Sequence, residues 1–412
     1  MENIEPLPDR CRLFHVGIPK SGTTSLQVAA AANRSDLLRQ GVLYPGTQIN
    51  QRSAVLGFMG RSWGWGKGGA TTPPRERWDA LMAEIEADES RRVFFGHEFA
   101  SEANKATAQG FVEAIGDRCH VLITLRSFGA ILPSAWQQFV KAGTTTGLDD
   151  WLHAVLAQPP DRSVTRRFHR RNDQGGVVRR WVKAAGPERV TVIVTDARRP
   201  ELLTNSVEQL LALEPGTLAA DDHNGYAANR GLTTAESELF LALNRAIEPY
   251  DVDWDDYERI VRFGAQRRLM EEPPSAGDRL ILPDWAAARA AERGAEFAEQ
   301  ITRSGARVIG DLSLLADEPP SRSDADQPVA EVPVDMAAEA LAGMLSAGTW
   351  RGPDFEEPDE AEVATRVAQV PTRRLVRVTV RQVFTRLVAS IKRGFARGRA
   401  AVLPASGRDR GR

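Results

Sequence analysis

A lysine and several hydroxyl side chains follow an apolar run near the start of the chain, in a segment that contains two glycines. The run from Leu13 to Val16 predicts a short buried strand, and the residues from Ser25 to Ala32 predict the start of a helix. A glycine-containing loop between a strand and a helix directs backbone N–H groups and the helix N-terminus at an anion, usually a phosphate. The positions that we expect to contact such an anion are Lys20, Ser21, Gly22, Thr23, Thr24 and Ser25.

The glycines of this loop, Gly17 and Gly22, have the spacing of a Walker A loop, G-x-x-x-x-G-K-[ST]. The residue after Gly22 is Thr23 rather than lysine, and the lysine of the loop lies upstream at Lys20. The loop therefore offers a cation and hydroxyl donors without the Lys-Ser/Thr pair that serves a nucleoside triphosphate and its magnesium. This difference argues against a P-loop-type kinase, which stays the first alternative.

A second apolar run ends in a residue that binds phosphates well. His120 to Leu125 predicts a strand, Arg126 follows it directly, and Ser134 lies eight residues further on in a predicted helix. A guanidinium group can bind a phosphate with two parallel hydrogen bonds, and a serine hydroxyl adds another donor. The chain thus has two separate elements suited to phosphate groups.

The segment Pro19-Lys-Ser-Gly-Thr-Thr-Ser25 resembles the 5′-phosphosulfate loop of the sulfotransferases that use 3′-phosphoadenosine 5′-phosphosulfate (PAPS). Arg126 and Ser134 resemble the pair that holds the 3′-phosphate of that donor in the same family. The two motifs occur in the family's order, about 100 residues apart, and the resemblance covers roughly residues 11–315. It implies transfer of a sulfuryl group from PAPS to a hydroxyl or an amine of a sugar, glycolipid or small metabolite.

The resemblance also implies roles for single residues. Lys20 would stabilise the leaving phosphate, and the residues from Gly22 to Thr24 would hold the 5′-phosphate. The late Arg-Lys-Gly loop of the cytosolic phenol and steroid enzymes has no match here, so the resemblance is to the bacterial and carbohydrate-modifying branches. Arg230 lies in a stretch similar to the late cofactor-side loop of some bacterial relatives, and Thr233 with Glu236 predicts a helix N-cap and capping box just after it.

Sulfuryl transfer also needs a base that takes the proton of the acceptor. His97 and Glu98 follow the predicted strand Val93 to Phe95, and the family uses Glu in some branches and His in others. Neighbouring residues of a strand face opposite ways, so we expect only one of the two in the site, with Glu98 favoured. That neither residue is the base stays an alternative.

These residues require a particular arrangement of strands. Lys20, Glu98 and Arg126 each follow a separate predicted strand, and the carboxyl ends of neighbouring parallel strands meet at one edge of a sheet. Strands alternate with helices as far as the apolar run Val190 to Thr195, and the chain after Ala197 is mainly helical. The pattern predicts an α/β fold with a P-loop-like parallel sheet flanked by helices, followed by a mostly helical second half.

Two further segments have open interpretations. The glycine-rich stretch from Arg61 to Gly69 is either a surface loop or an acceptor wall, in which Trp63 or Trp65 would stack on an acceptor ring. The basic segment Thr165 to Asn172 is either a solvated cluster or a site of attraction for an anionic donor or acceptor.

Composition limits the class of protein. The chain has 412 residues, a net charge of −2 and two cysteines, so we expect no disulfide framework and a reducing compartment. We find neither a signal-peptide pattern nor an apolar run long enough to span a membrane, and the expectation is a cytoplasmic protein. The six histidines are scattered without metal-ligand spacing, so no metal is expected.

The C-terminal part differs from the rest of the chain. We predict a catalytic domain over 1–316, a linker rich in proline and acids over 317–335, and a basic helical extension over 336–412. Residues 361–412 carry 13 Lys or Arg and 2 acids, and residues 371–399 have the spacing of a basic amphipathic helix. Such a helix would bind an anionic membrane, peripherally at the inner surface, or a partner, or would dock on the acidic domain. No nucleic acid partner is expected, and a catalytically silent module that binds membranes stays the second alternative.

Overall fold

A computed structural model of the protein describes residues 4–62, 71–157, 162–219, 230–250, 252–271, 279–323, 325, 329 and 331–349. The chain divides into two compact units, the first formed by Met1–Leu241 and Asp278–Ala330 and the second by Ala242–Gly277 and Glu331–Arg412. The predicted amphipathic helix over 371–399 lies outside the described residues. The division differs from the predicted domains, because residues 242–277 belong to the same unit as the C-terminal part.

The strands in the described part of the chain are short and lie mainly in the first unit. They are β1 (Arg12–His15), β2 (Val42–Leu43), β3 (Arg92–Gly96), β4 (Cys119–Leu125), β5 (Val190–Val194), β6 (Leu282–Pro283), β7 (Arg307–Ile309) and β8 (Ser321–Arg322). Six of them form one sheet in the order β2-β3-β1-β4-β5-β7, and β6 pairs with β8 in a separate two-stranded sheet. All neighbouring strands of the large sheet are parallel, as the sequence predicts.

Helices connect these strands and make up most of the described residues in the second half of the chain. The α-helices are α1 (Thr23–Ala32), α2 (Arg34–Arg39), α3 (Arg52–Met59), α4 (Glu76–Glu86), α5 (Lys105–Ile115), α6 (Phe128–Val140), α7 (Leu148–Leu156), α8 (Arg162–Asn172), α9 (Gln174–Ala185), α10 (Leu202–Leu210), α11 (Thr234–Ile247), α12 (Trp254–Tyr257), α13 (Arg267–Glu271), α14 (Asp284–Ser304) and α15 (Val334–Thr349). Short 3-10 helices lie at Glu98–Glu102, Pro187–Arg189, Glu248–Tyr250 and Leu312–Ala316, and a π-helix lies at Glu258–Gln266. Among the described helices, none combines the length and the apolar character that crossing a membrane requires.

Strand β1 lies between β3 and β4, and apolar side chains cover both of its faces. Phe14 contacts an aromatic cluster on one face, with ring centroids 5.2 Å from those of both Phe95 and Phe111. Leu13, on the other face, belongs to an aliphatic cluster with Leu26 and other buried residues. Burial of both faces is typical of parallel sheets covered by helices, and it holds the carboxyl ends of β3, β1 and β4 side by side.

The second unit contains a close contact between two helical segments. A Cβ atom at Gly264, in the π-helix, would lie 2.7 Å from the carbonyl oxygen of Gly343 in α15. Only glycine allows the two backbones to approach this closely. The sequence predicts a helix from Asp256 to Met270, and the structure has an uninterrupted helical segment there, formed by α12, the π-helix and α13.

Gly96, at the end of β3, gives a test of this strand packing. Its φ of +136° is outside the range that side chains normally adopt, and a Cβ there would lie 2.3 Å from the His15 carbonyl oxygen. We expect Gly96→Ala to lower the free energy of unfolding by about 3 kcal/mol, from backbone strain and displacement of β1.

Urea denaturation measures this loss, with Gly41→Ala as the matched control. Gly41 also has a positive φ, +81°, but nothing lies within 4 Å of its Cβ position. Its loss should be about 1 kcal/mol, since only the left-handed conformation is unfavourable there. Equal losses in the two variants would contradict a tight β1–β3 contact at Gly96.

Candidate active site

The loop after β1 holds Lys20 in an unusual backbone conformation. Residues Ile18 to Ser21 form a turn in which the Ser21 N–H donates to the Ile18 carbonyl, 3.4 Å away. Pro19 is the second residue of the turn, and Lys20, the third, has a φ of +70°. This is the pattern of a type II turn, in which glycine or asparagine normally occupies the third position. A lysine there is strained, and such strain is typical of functional loops.

Helix α1 begins directly behind the loop without a side-chain cap. Gly22, its N-cap residue, has a φ of +83° and makes no side-chain hydrogen bond to the first turn. The first N–H groups of a helix have no partner within the helix, so they are available to an anion. Gly22, Thr24 and Ser25 are exposed beside these groups, whereas Thr23 is buried.

Ser21 is not part of this exposed surface. Its hydroxyl is fully buried, donates to the Ile18 carbonyl at 2.7 Å and lies 2.7 Å from the Thr124 hydroxyl. The side chain is therefore directed into the protein, and we remove Ser21 from the residues expected to contact a ligand.

Lys20 and Arg126 meet at the carboxyl edge of the sheet. The Nη1 atom of Arg126 donates to the Lys20 carbonyl oxygen at 3.4 Å. Burial lowers the pKa of Lys20, Arg126 lowers it further, and the carboxylate of Glu98 acts in the opposite direction. Burial also lowers the pKa of Arg126, with a contribution from Arg279. Arg126 and Glu98 are therefore both close enough to Lys20 to affect its charge.

Other arginines near this edge have carboxylate partners. Arg61 and Arg171 both pair with the buried Glu102. Burial raises the pKa of this carboxyl group, but the two arginines outweigh burial and hold the pKa below its usual value. Within the described part of the chain, Lys20 and Arg126 have no such ion pair. Arg171 belongs to the basic segment of α8, so this part of the segment forms an ion pair with a residue distant in sequence.

His97 and Glu98, the two candidates for the base, have different hydrogen-bond surroundings. His97 caps the 3-10 helix, and its Nδ1 atom accepts a hydrogen bond from the Phe99 N–H at 3.2 Å. Burial lowers the pKa of His97 to about 4. A neutral His97 with an occupied Nδ1 lone pair carries its proton on Nε2, so it has no lone pair free to take a proton. Nε2 lies 3.3 Å from Oε2 of Glu98, a buried oxygen that has no aligned hydrogen-bond donor.

Ser134 and Arg230 lie along helix α6 and the loop beside it. The half-buried Ser134 donates its hydroxyl to the Ile131 carbonyl at 2.9 Å. Gln137, one turn further along α6, donates to the Leu232 carbonyl at 2.6 Å and ties this loop to the helix. Arg230 binds Glu236 through two hydrogen bonds of 2.7 and 2.8 Å, so its fork is already occupied by a carboxylate.

The structure confirms one local feature that the sequence predicts and shows residues of the site that the sequence analysis missed. The capping box is confirmed, because Thr233 and Glu236 accept hydrogen bonds from each other's N–H groups. Thr124 was missed, although a polar residue within the apolar run of β4 was a signal of a special role. Arg279 was missed because nothing in its own sequence surroundings relates it to Arg126.

Trp63 and Trp65 lie outside the described residues, so the proposed acceptor wall stays a prediction. Among the residues that the structure does describe, no three His, Cys, Asp or Glu side chains are grouped as metal ligands are.

Comparison with known proteins gives one weak structural similarity. No family model and no curated protein matches the chain. A crystal structure of a sulfotransferase from Alicyclobacillus acidocaldarius is similar, with 20% sequence identity and a TM-score of 0.38, over 61% of this chain and 100% of that one. Values this low carry no argument about activity, so the functional interpretation depends on the site itself.

The buried histidines predict a loss of stability in mild acid. Burial lowers the pKa of His97 and of His15 from 6.5 to about 4. Between these values the unfolded chain binds a proton that the folded protein does not, so stability falls as the pH falls. We expect each histidine to lower the free energy of unfolding by about 2 kcal/mol between pH 7 and pH 5.

Urea denaturation at the two pH values measures this effect. His97→Gln should make the loss between pH 7 and pH 5 smaller, and His153→Gln should leave it unchanged because the His153 side chain is 64% exposed. An unaltered pH dependence in His97→Gln would contradict a neutral His97 in the folded protein.

Proposed function

We propose that the first unit transfers a sulfuryl group from PAPS to a hydroxyl or an amine of an acceptor. The observation that carries this proposal is the pair of cations, Lys20 and Arg126, that lie without carboxylate partners among the described residues beside the uncapped N-terminus of α1. Glu98 adds a carboxylate oxygen without a hydrogen-bond donor at the same edge. Cations, free N–H groups and a base together suit a doubly phosphorylated donor and an acceptor that loses a proton.

The chemistry of these residues fits the groups of PAPS. The 5′-phosphosulfate would be held by Lys20, by the N–H groups at the start of α1 and by the hydroxyls of Thr24 and Ser25. The 3′-phosphate would be held by Arg126, and Ser134 would join it only by turning its hydroxyl away from the Ile131 carbonyl. When bound, PAPS supplies an SO₃ group whose transfer leaves negative charge on the bridging phosphate oxygen.

Each residue has a separate task in this proposal. Lys20 would donate to the bridging oxygen and stabilise the charge that develops there. Glu98 would accept the proton of the acceptor through its partly exposed carboxylate, whose Oε2 atom is itself buried and lies 3.3 Å from Nε2 of His97. His97 would keep its proton on Nε2 and stay beside Glu98, which assigns the base to Glu98 rather than to His97. Arg230, already bound by Glu236, would contribute to the donor site only through the loop that it stabilises.

The two alternative functions, a P-loop kinase and a catalytically silent module, predict different properties of the Lys20 loop. A P-loop kinase would have a lysine at position 23, where this chain has a buried threonine. A catalytically silent module would keep the phosphate-binding loop without turnover, or would bind no nucleotide.

The acceptor is a sugar, a glycolipid or a small metabolite in this proposal, and a bacterial or carbohydrate-type enzyme is the form that we favour.

The donor site can be tested with the product nucleotide. We expect adenosine 3′,5′-bisphosphate to bind in calorimetry, and Arg126→Ala to weaken this binding about 30-fold because a charged hydrogen-bonding partner is lost. Arg39→Ala, which removes an exposed arginine of α2, is the matched control and should bind like the unaltered protein. MgATP is titrated in parallel, and binding of MgATP alone would favour the kinase.

Lys20 and Glu98 should affect turnover more than binding. We expect Lys20→Ala and Glu98→Gln each to lower sulfuryl transfer at least about 100-fold, since both groups act on charge or protons that move during the reaction. Transfer of ³⁵S from labelled PAPS to a panel of sugars and hydroxylated metabolites measures this. Turnover in Lys20→Ala equal to that of the unaltered protein would end the proposed mechanism.

We also propose that residues 371–399 attach the protein to anionic membranes. The segment combines a stripe of valine, leucine, isoleucine and phenylalanine with arginine and lysine residues that fall mostly opposite the stripe at helical spacing, the pattern of helices that lie in a membrane surface. Deletion of residues 361–412 should abolish co-sedimentation with vesicles of phosphatidylserine and phosphatidylcholine, and should leave bisphosphate binding unchanged. Absence of co-sedimentation in the full chain would contradict this attachment.

A further inference from the structure

Beneath the Lys20 loop, three buried side chains form a chain of hydrogen bonds. The Ser21 hydroxyl donates to the Ile18 carbonyl at 2.7 Å, the Thr124 hydroxyl lies 2.7 Å from that of Ser21, and Nε2 of His15 lies 3.2 Å from the Thr124 hydroxyl. The three side chains are at most 1% exposed. We call Ser21, Thr124 and His15 the polar chain.

The hydrogen atoms of the polar chain can be assigned in only one direction. Ser21 uses its hydrogen on the Ile18 carbonyl, so it accepts from Thr124. Thr124 has then used its own hydrogen and must accept from Nε2–H of His15. His15 is therefore a neutral donor whose proton is on Nε2, and its Nδ1 atom is buried without a partner. Burial lowers the pKa of His15, which agrees with this neutral form.

The polar chain connects the two segments that carry the free cations. Ser21 follows Lys20 directly, and Thr124 is two residues before Arg126. The Thr124 carbonyl also accepts from the Ile18 N–H at 3.1 Å, so Thr124 binds the turn through both its backbone and its side chain. The Ile18 carbonyl closes the turn twice, because it accepts from both the N–H and the hydroxyl of Ser21.

Gly17 leaves the space that the polar chain occupies. A Cβ atom there would lie 2.1 Å from the Thr124 hydroxyl oxygen and 2.7 Å from Nε2 of His15. Any side chain at position 17 would therefore displace this hydrogen bond. The first glycine of the loop is required by the polar chain.

We propose that Ser21, Thr124 and His15 are positioning residues that hold Lys20 in its left-handed conformation and fix its distance from Arg126. For its effect on donor binding, this inference rests on the proposed function. None of the three side chains touches the donor in this proposal. They act through the backbone of the turn, where a lysine with a positive φ would otherwise relax.

Thr124→Val tests the effect on the ligand, because it keeps the shape of the side chain and removes the hydroxyl. We expect it to weaken binding of adenosine 3′,5′-bisphosphate about tenfold in calorimetry, and we expect Thr124→Ser, which keeps the hydroxyl, to restore binding to within about twofold.

Thr191→Val is the matched control. Thr191 is also a fully buried threonine bonded to a histidine, with its hydroxyl 2.8 Å from Nε2 of His120, but its pair is not connected to the Lys20 loop. It should lose similar stability and keep full affinity. Unaltered affinity in Thr124→Val, or an equal loss of affinity in Thr191→Val, would overturn the inference.

A second experiment needs no ligand. If the polar chain opposes the strain at Lys20, removing one of its hydrogen bonds should destabilise the protein less when position 20 is glycine, because glycine adopts a positive φ freely. Urea denaturation should therefore show that Ser21→Ala costs at most half as much stability in a Lys20→Gly background as in the unaltered chain. Equal costs in the two backgrounds would overturn the inference.

The two experiments also separate this inference from the proposed function. If the unaltered protein does not bind the bisphosphate, the proposed function fails, and the unfolding cycle alone then decides whether the polar chain holds Lys20.

Discussion

The burial of β1 on both faces is the constraint on which the site depends. Phe14 is held among aromatic rings and Leu13 among aliphatic side chains, so the strand can neither rotate nor slip in register. A slip by one residue would exchange the two faces. The carboxyl end of β1 is therefore fixed between those of β3 and β4, and the loops that carry Lys20, Glu98 and Arg126 begin from three fixed points.

Electrostatic compensation separates the structural arginines from those suited to a ligand. Glu102 forms ion pairs with both Arg61 and Arg171, and Glu236 forms one with Arg230. Burial lowers the pKa of both Lys20 and Arg126, Arg126 lowers the pKa of Lys20 further, and Arg279 lowers that of Arg126 further. Two like charges close together repel each other in the free protein, and an anion bound between them offsets that repulsion. The same feature that costs stability thus favours a phosphate-containing ligand.

In the backbone of the Lys20 loop, an unfavourable conformation is likewise offset by favourable contacts around it. A lysine with a positive φ is unfavourable by itself, and it persists only because its surroundings hold the turn. These surroundings are polar and buried, and their hydrogen bonds are almost fully satisfied. The hydrogen bonds beneath the loop compensate the strain at Lys20, which explains why a buried histidine and a buried threonine lie in two mainly apolar strands.

The sequence by itself determined the α/β class, the parallel strands, and the three strand ends at which Lys20, Glu98 and Arg126 lie. Apolar runs and glycines are local signals that the sequence shows directly, and the Thr233–Glu236 capping box spans only four residues. Only the tertiary structure decided that Ser21 faces Thr124, 103 residues away, instead of the ligand, and that Glu102 forms an ion pair with Arg171. It also showed that the lone pair of His97 is occupied. Whether a polar side chain is free depends on which groups folding brings within reach, and the order of residues along the chain does not contain that information.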